Sequence, residues 1–461
     1  MITRTNTGLG GLLLVVLSLF TSCSQEKYQE KPLDPEYYRR SVKQLTDVIV
    51  HDIFSPPVAS RIYVYPNIAA YEILARQNEE HLSLHNQLTD FSPIPAPDTT
   101  KAYSHSLASI HALITVGKAL VFSEDKMNAF RDNLYQEIRE KENIPEQVFK
   151  HSVAYGQQVA EHVLAWANED NYKETRTFPK YTVKDEPGAW KPTPPDFMEG
   201  IEPHWNKIRP MVIDSARQFI PEYPPEFSMD EGSEFYEDLI EVYNAVNNLN
   251  DEELEIAKFW DCNPYVSVHR GHAMFAIKKI TPGGHWIGVT AIASRKANLD
   301  LMKTAEAYTR VSIALFDGFI SCWDEKWRSI LIRPETLINA HIDEEWKPVL
   351  QTPPFPEYTS GHSVISNAAA VTLTDLLGEP FNYTDTTELE YGLPARSYNS
   401  FMQAASEAAI SRLYGGIHYM PAITNGATQG KAVGRYIAEK LKTRKGNTAK
   451  TTNLKPLNTS D

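Results

Sequence analysis

Apolar residues recur at three- and four-residue spacing through 37–54, 57–76, 102–120, 124–141 and 145–168, which predicts a run of amphipathic helices. The same period returns at 234–247, 251–260, 294–320, 363–377, 397–414 and 427–441. Alternating apolar and polar positions are scarce, so few or no strands are expected. Asn250 followed by Asp251, Glu252 and Glu253 reads as a capped helix start with acidic residues at the positive end of the dipole. Between these halves, prolines such as Pro179, Pro187, Pro194, Pro195, Pro210 and Pro225 leave little room for a helix, while Trp190, Phe197, Trp205 and Tyr223 favour packing over a free linker. The expected architecture is all-α: packed helical bundles with a long Pro/Trp-rich irregular excursion. We read 36–442 as one helical domain, divided into N-terminal helices (36–177), the excursion (178–230) and a second helical group (231–442).

Composition supports a large core, since 42% of the 461 residues are hydrophobic and 11% aromatic. Charge narrows the function. With 45 Lys and Arg against 59 Asp and Glu, the net charge of −14 argues against a protein that coats nucleic acid. The basic, Gly/Asn/Thr-containing stretch 440–455 reads as solvated, and 443–461 as a disordered tail. An acidic protein that binds an anion must gather cations locally.

The N-terminus has a charged start at Arg4, an apolar run over 9–20 and the small residues Thr21 and Ser22 before Cys23, the pattern of a secretory signal over 1–22. The run is too short to span a bilayer. Phe20-Thr21-Ser22-Cys23 resembles a bacterial lipoprotein box, which implies lipidation of Cys23, a linker over 23–35, and an exported protein anchored to the membrane of the cell envelope. The other cysteines, Cys262 and Cys322, lie in apolar helical contexts and are expected unpaired; without a CxxC pair, a cysteine zinc site is excluded.

Three short patterns carry the chemistry: Lys326-x6-Arg333-Pro334, Ser360-Gly361-His362 ahead of a helix, and Ser411-Arg412-x5-His418. Taken singly, each has an ordinary explanation: charges at a helix end, an N-cap serine, a structural histidine. Together they resemble the signature shared by vanadium-dependent haloperoxidases and phosphatidic-acid-phosphatase-type acid phosphatases, which hold one oxyanion on a helical scaffold. Their chemistry agrees. Lys326, Arg333 and Arg412 supply three positive charges, Ser360 a hydroxyl, and Gly361 an unhindered amide at a helix N-terminus. The resemblance places His418 either as the ligand bonded to vanadium or as a nucleophile toward phosphorus, and His362 as acid/base. The three cations should depress both histidine pKa values.

The phosphatases carry Asp four residues after the nucleophilic histidine and usually Pro before the serine. Here those positions are Ala422 and Thr359, and no local carboxylate replaces the Asp. A metal-bonded histidine tolerates that loss better than a phosphohistidine. The segments around Trp323-Asp324-Glu325-Lys326, from Pro353 to His362 and from Phe259 to Tyr265 are similar to those of flavobacterial-type vanadium iodoperoxidases, over about 231–441. This implies vanadate as cofactor and hydrogen peroxide and halide, iodide first, as substrates, with Trp323, Asp324, Phe355 and Tyr265 around the site. It also implies Lewis-acid catalysis in which Lys326 polarises peroxide and halide leaves as hypohalous acid. A phosphomonoesterase using the same residues, and a surface protein with a relic site, are the competing readings. His269, His272 and His285 lack the carboxylate spacing of a metal cluster, and Pro282-Gly283-Gly284 with Trp286 reads as a loop shaping the mouth of the site. No self-complementary patch for an oligomer is legible.

Overall fold

A computed structural model describes residues 28–270 and 272–446. The apolar run over 9–20, Cys23 and most of the basic tail lie outside the described residues. The first helical group is α1 (Pro35–Asp52), α2 (Pro56–Arg76), α3 (His105–Ala119), α4 (Glu124–Lys141), α5 (Glu146–Ala167) and the single turn α6 (Tyr172–Thr175). After the excursion come α7 (Glu234–Asn247), α8 (Asp251–Phe259), the hairpin β1 (Val266–Arg270) and β2 (Ala273–Ile277), α9 (Pro282–Lys296), α10 (Leu301–Ser329), α11 (Pro334–His341) and α12 (Gly361–Leu377). The chain closes with β3 (Tyr383–Asp385), β4 (Arg396–Tyr398), α13 (Phe401–Tyr414) and α14 (Met420–Lys440). The all-α expectation holds, with two short antiparallel strand pairs added, β1 with β2 and β3 with β4.

Helix α10 is the axis of the molecule. It packs on α2 from the N-terminal group and on α12 and α14 from the C-terminal group, and its sides are buried all round from Thr304 to Lys326. Helix α2 is likewise buried from Pro56 to Ala75. A helix apolar around its whole circumference belongs inside a bundle. Asp300 starts α10 by accepting from the Lys303 amide at 2.8 Å, and Ile330 stops it in the left-handed region at φ 51°. The break that separates α9 (Pro282–Lys296) from α10 lies at the Asp300 start, so the helix expected over 294–320 is two helices, interrupted at 297–300 where Asn298 takes a positive φ.

Residues Pro282–Gly284, expected as a loop, instead open α9. Thr281 caps it, Pro282 occupies its first turn, and Trp286 is fully buried with its indole N–H on Ser366 Oγ at 2.9 Å. Two further expectations are corrected. Residues 28–35 are not a free linker: Glu30 accepts from the Ser106 amide at 2.9 Å, Leu33 is buried, and α1 begins at Pro35. The tail is ordered through 446, because Thr443 and Arg444 reach the buried Glu306 carboxylate and the Leu82 amide donates to the Thr443 carbonyl at 2.9 Å.

The excursion packs against the end of α10. Trp190 donates its amide to the Ile330 carbonyl at 2.7 Å, Ile201 to Pro354 at 2.9 Å, and Trp205 is buried against Phe316. Its firmest tie is Asp317 of α10, whose buried carboxylate accepts the amides of Met211, Val212 and Ile213 at 2.7, 2.8 and 3.0 Å. Asp317→Ala leaves three amides without their acceptor and is expected to cost on the order of 3 kcal/mol in denaturant unfolding; an unchanged midpoint would remove this anchor from the account.

Candidate active site

Each donor read from the sequence sits at a helix end, where the backbone turns and side chains converge. Lys326 lies in the last turn of α10, Arg333 caps α11 ahead of Pro334, Ser360 caps α12 with its Oγ accepting from the Ser363 amide at 3.3 Å, and Gly361 and His362 open that helix. Arg412 is in the last turn of α13, and His418 precedes α14. Gly361, His362, Arg412 and His418 line one cavity of about 170 Å³. Lys326, Arg333 and Ser360 are buried immediately behind it.

Backbone carbonyls hold the cations in place. Lys326 Nζ donates to the carbonyls of Pro356 and Glu357, both at 2.9 Å. Arg333 donates to Phe355 O at 2.9 Å, to Ile417 O at 2.7 Å and to His418 Nε2 at 3.2 Å. Arg412 donates to Trp260 O at 2.6 Å. Carbonyls carry only partial charge, so the site keeps a positive excess. Burial accordingly lowers the Lys326 pKa to about 7 and those of Arg333 and Arg412 to about 10.

Both histidines are held neutral, as expected, though burial outweighs the cations as the cause. His418 donates Nδ1–H to Glu357 Oε1 at 2.6 Å, an oxygen that also accepts the Tyr419 amide at 3.0 Å. That bond fixes the tautomer and leaves the Nε2 lone pair facing the cations. His362 Nε2 is buried without a partner, and the neutral ring is able to accept a proton.

Glu357 is the functional residue the sequence reading missed. It supplies the orienting carboxylate expected to be lacking, from 61 residues upstream of His418 rather than from position 422. Ala422 instead uses its carbonyl to accept the Ser360 amide at 3.0 Å. The missing Asp therefore does not separate haloperoxidase from phosphatase chemistry. Burial raises Glu357 to about 8, with Arg333 and Lys326 pulling it down; ionised or not, its Oε1 remains an acceptor for the ring.

Of the surrounding residues, Trp323, Phe355 and Tyr265 line the cavity. Lys326 Nζ and the Arg333 guanidinium each lie 5.0 Å from the Phe355 ring centre. Asp324 does not face the cavity. It turns toward the excursion, accepting from Asn206 at 2.8 Å and pairing with Arg328 at 3.4 Å. The N-terminal group, to which no chemistry was assigned, contributes Ile53, Ser55 and Pro56 to the wall. Cys262 and Cys322 are both free and buried, as expected.

The donor set fits a tetrahedral oxyanion. Arg333 Nη2 and His362 Nε2 are buried without partners, Lys326 has a third N–H beyond its two carbonyl bonds, and a Cβ at Gly361 would meet only Trp323, at 3.6 Å. Close approach of an anion to the α12 N-terminus is sterically open.

The comparisons with known proteins agree with this geometry. No curated protein sequence matches the chain. A family model described as the VCPO second helical-bundle domain matches residues 306–446, which hold every proposed anion donor. The holo and apo structures of a bacterial vanadium-dependent chloroperoxidase share the fold: the holo form is 15% identical, covers 90% of this chain and 98% of its own, with TM-score 0.68, and the apo form is 15% identical with TM-score 0.62. The structure described as the first bacterial vanadium-dependent iodoperoxidase is 55% identical, with TM-score 0.85, over 90% of this chain and 99% of its own. Identity of that degree over nearly the whole of a relative makes this chain a member of the vanadium-dependent haloperoxidase family.

Proposed function

We propose that this protein oxidises iodide with hydrogen peroxide, using vanadate held by Lys326, Arg333, Ser360, Gly361, His362, Arg412 and His418. The observation that carries the reading is the neutral His418 ring, its Nδ1–H fixed on Glu357 and its Nε2 lone pair set among three buried cations. When bound, vanadate supplies a Lewis-acid centre that activates peroxide without changing its own oxidation state. The protein supplies everything else. His418 Nε2 would bond the metal, and the two arginines and Lys326 would offset the anion's charge. The Gly361 amide and Ser360 hydroxyl complete its hydrogen bonds. His362 Nε2 takes the proton that peroxide gives up and returns it to the departing oxygen. Trp323, Phe355 and Tyr265 exclude water from the path of the halide and offer polarisable ring faces to a large, soft anion. Iodide, the halide easiest to oxidise, asks least of such a site. With one further proton taken up from solvent, the products of iodide and hydrogen peroxide are hypoiodous acid and water.

Stripped protein given vanadate, peroxide and iodide should form triiodide, and should form none without vanadate. His418→Ala should abolish vanadate binding in a titration. Arg412→Ala should weaken it about tenfold to a hundredfold for loss of a charged donor, and Glu357→Ala by about the same factor for loss of the ring's orienting partner. Full turnover by His418→Ala would remove His418 as the metal-bonding residue.

Vanadate affinity should also depend on Lys326. Its amine has a pKa near 7 in the ligand-free site, and only the ammonium form assists an anion. Below that pH the ammonium is already present and affinity should be flat on this account. Above it, binding must take up a proton, so affinity should fall as pH rises, by up to about tenfold per unit. Lys326→Met should flatten that slope; an identical slope in the variant would assign it elsewhere.

We further propose export and lipid anchoring through Cys23, on the residues of its lipoprotein-like box. Labelled palmitate should enter the wild-type protein in a bacterial host and not Cys23→Ala, which should be released from the membrane fraction; equal labelling of the two would end this proposal.

A further inference from the structure

We propose that Cys262, His285 and Glu388 form a zinc-binding site in the wall of the active-site cavity, which Cys262 itself lines, with ligands other than those of the oxyanion cradle. The three residues come from distant segments: the turn after α8, the first turn of α9 and the loop after β3. All three are buried, and their ligand atoms lie within 4.8 Å of one another. Cys262 Sγ is 3.5 Å from His285 Nδ1, and Glu388 Oε1 is 3.2 Å from the same nitrogen. A tetrahedral zinc with bonds of about 2.3 Å to sulfur and about 2.0–2.1 Å to nitrogen and oxygen has donor–donor edges of about 3.5 and about 3.3 Å.

Two independent observations point to a cation. Glu388 Oε1 is buried, lies 3.2 Å from His285 Nδ1 and makes no well-formed hydrogen bond of its own. On the far side of the ring, His285 Nε2–H donates to Asp385 Oδ2 at 2.8 Å, and the other oxygen of Asp385 accepts the Thr387 amide at 2.9 Å. A carboxylate fixed in this way on the remote nitrogen directs the other nitrogen's lone pair toward a metal. Trp260 stacks on the imidazole at 4.4 Å and closes one face of the cluster.

Charge balance permits the exchange without rearrangement. Without metal, an imidazolium between two carboxylates and a neutral thiol carries one net negative charge. Zinc displaces the thiol proton and the Nδ1 proton, two protons for two positive charges, and the net charge is unchanged. Mixed sulfur, nitrogen and carboxylate donors suit zinc, with a water completing the tetrahedron. The exclusion of a cysteine zinc site for want of a CxxC pair does not reach this cluster, whose one cysteine joins donors from distant segments, and the proposal reverses it. Zinc here would clamp the turn from Trp260 to Tyr265, whose members Asp261, Asn263, Pro264 and Tyr265 line the cavity.

The test uses full-length protein without a polyhistidine tag, stripped by chelator, kept free of vanadate and titrated with Zn²⁺ or Co²⁺. Expected are one zinc retained per chain, a thiolate-to-cobalt charge-transfer band, and an X-ray absorption shell with one sulfur at about 2.3 Å from zinc. Cys262→Ser should lose the band, Glu388→Gln should weaken zinc binding at least tenfold, and His418→Ala should keep both. Absence of the band and of the sulfur shell from folded wild-type protein overturns the site whether or not the variants fold. Equal zinc binding by Cys262→Ser and wild type overturns it as well.

Discussion

Three cations and two neutral imidazoles are gathered in one buried cluster by backbone carbonyls and a single carboxylate. Their mutual repulsion is offset only in part by the dipoles of Phe355, Pro356, Glu357, Ile417 and Trp260, so the site is left short of negative charge. A multiply hydrogen-bonding oxyanion supplies what is missing. The donors are already oriented before it arrives, and little reorganisation accompanies the chemistry. The rest of the molecule, acidic overall, makes this concentration of positive charge a local property.

The fold serves that constraint through α10. One end of the helix is locked between the two helical groups, and the other carries Lys326 and stops at Ile330, from which the chain turns to Arg333. The excursion is bonded to this end at Ile330 and further back at Asp317, about two and a half turns before Lys326. Its Ile201 ties to Pro354, in the loop whose following carbonyls hold Lys326 and Arg333. The irregular segment thus takes part in setting donor geometry, which explains why so proline-rich a stretch is packed so closely.

The helical architecture was legible because apolar spacing in the two helical groups is strong, and the donors because their spacing places them beside helix ends. What was illegible depends on distance along the chain. Glu357 meets His418 across 61 residues, and no local motif announces that meeting. Residues 28–35 follow a lipoprotein-like box as a linker and residues 443–446 look solvated by composition, yet they are held by partners at Ser106 and Glu306. Pro282-Gly283-Gly284 reads as a turn by residue type, whereas Thr281 as cap and proline in the first turn make it a helix start. Asp324 is placed around the site by the resemblance of its segment; successive residues on a helix point in different directions, and Asp324 turns toward Asn206 and Arg328 instead.

The cradle and the cavity wall come from different kinds of structure. The charged donors belong to the ends of packed helices, while Met198, Ile201, Tyr265, Pro353 and Pro354 belong to connecting segments. Substitutions in those connections can reshape what approaches the oxidising centre while leaving its ligands in place. Acceptor range and oxidising power can therefore diverge independently among descendants of this scaffold.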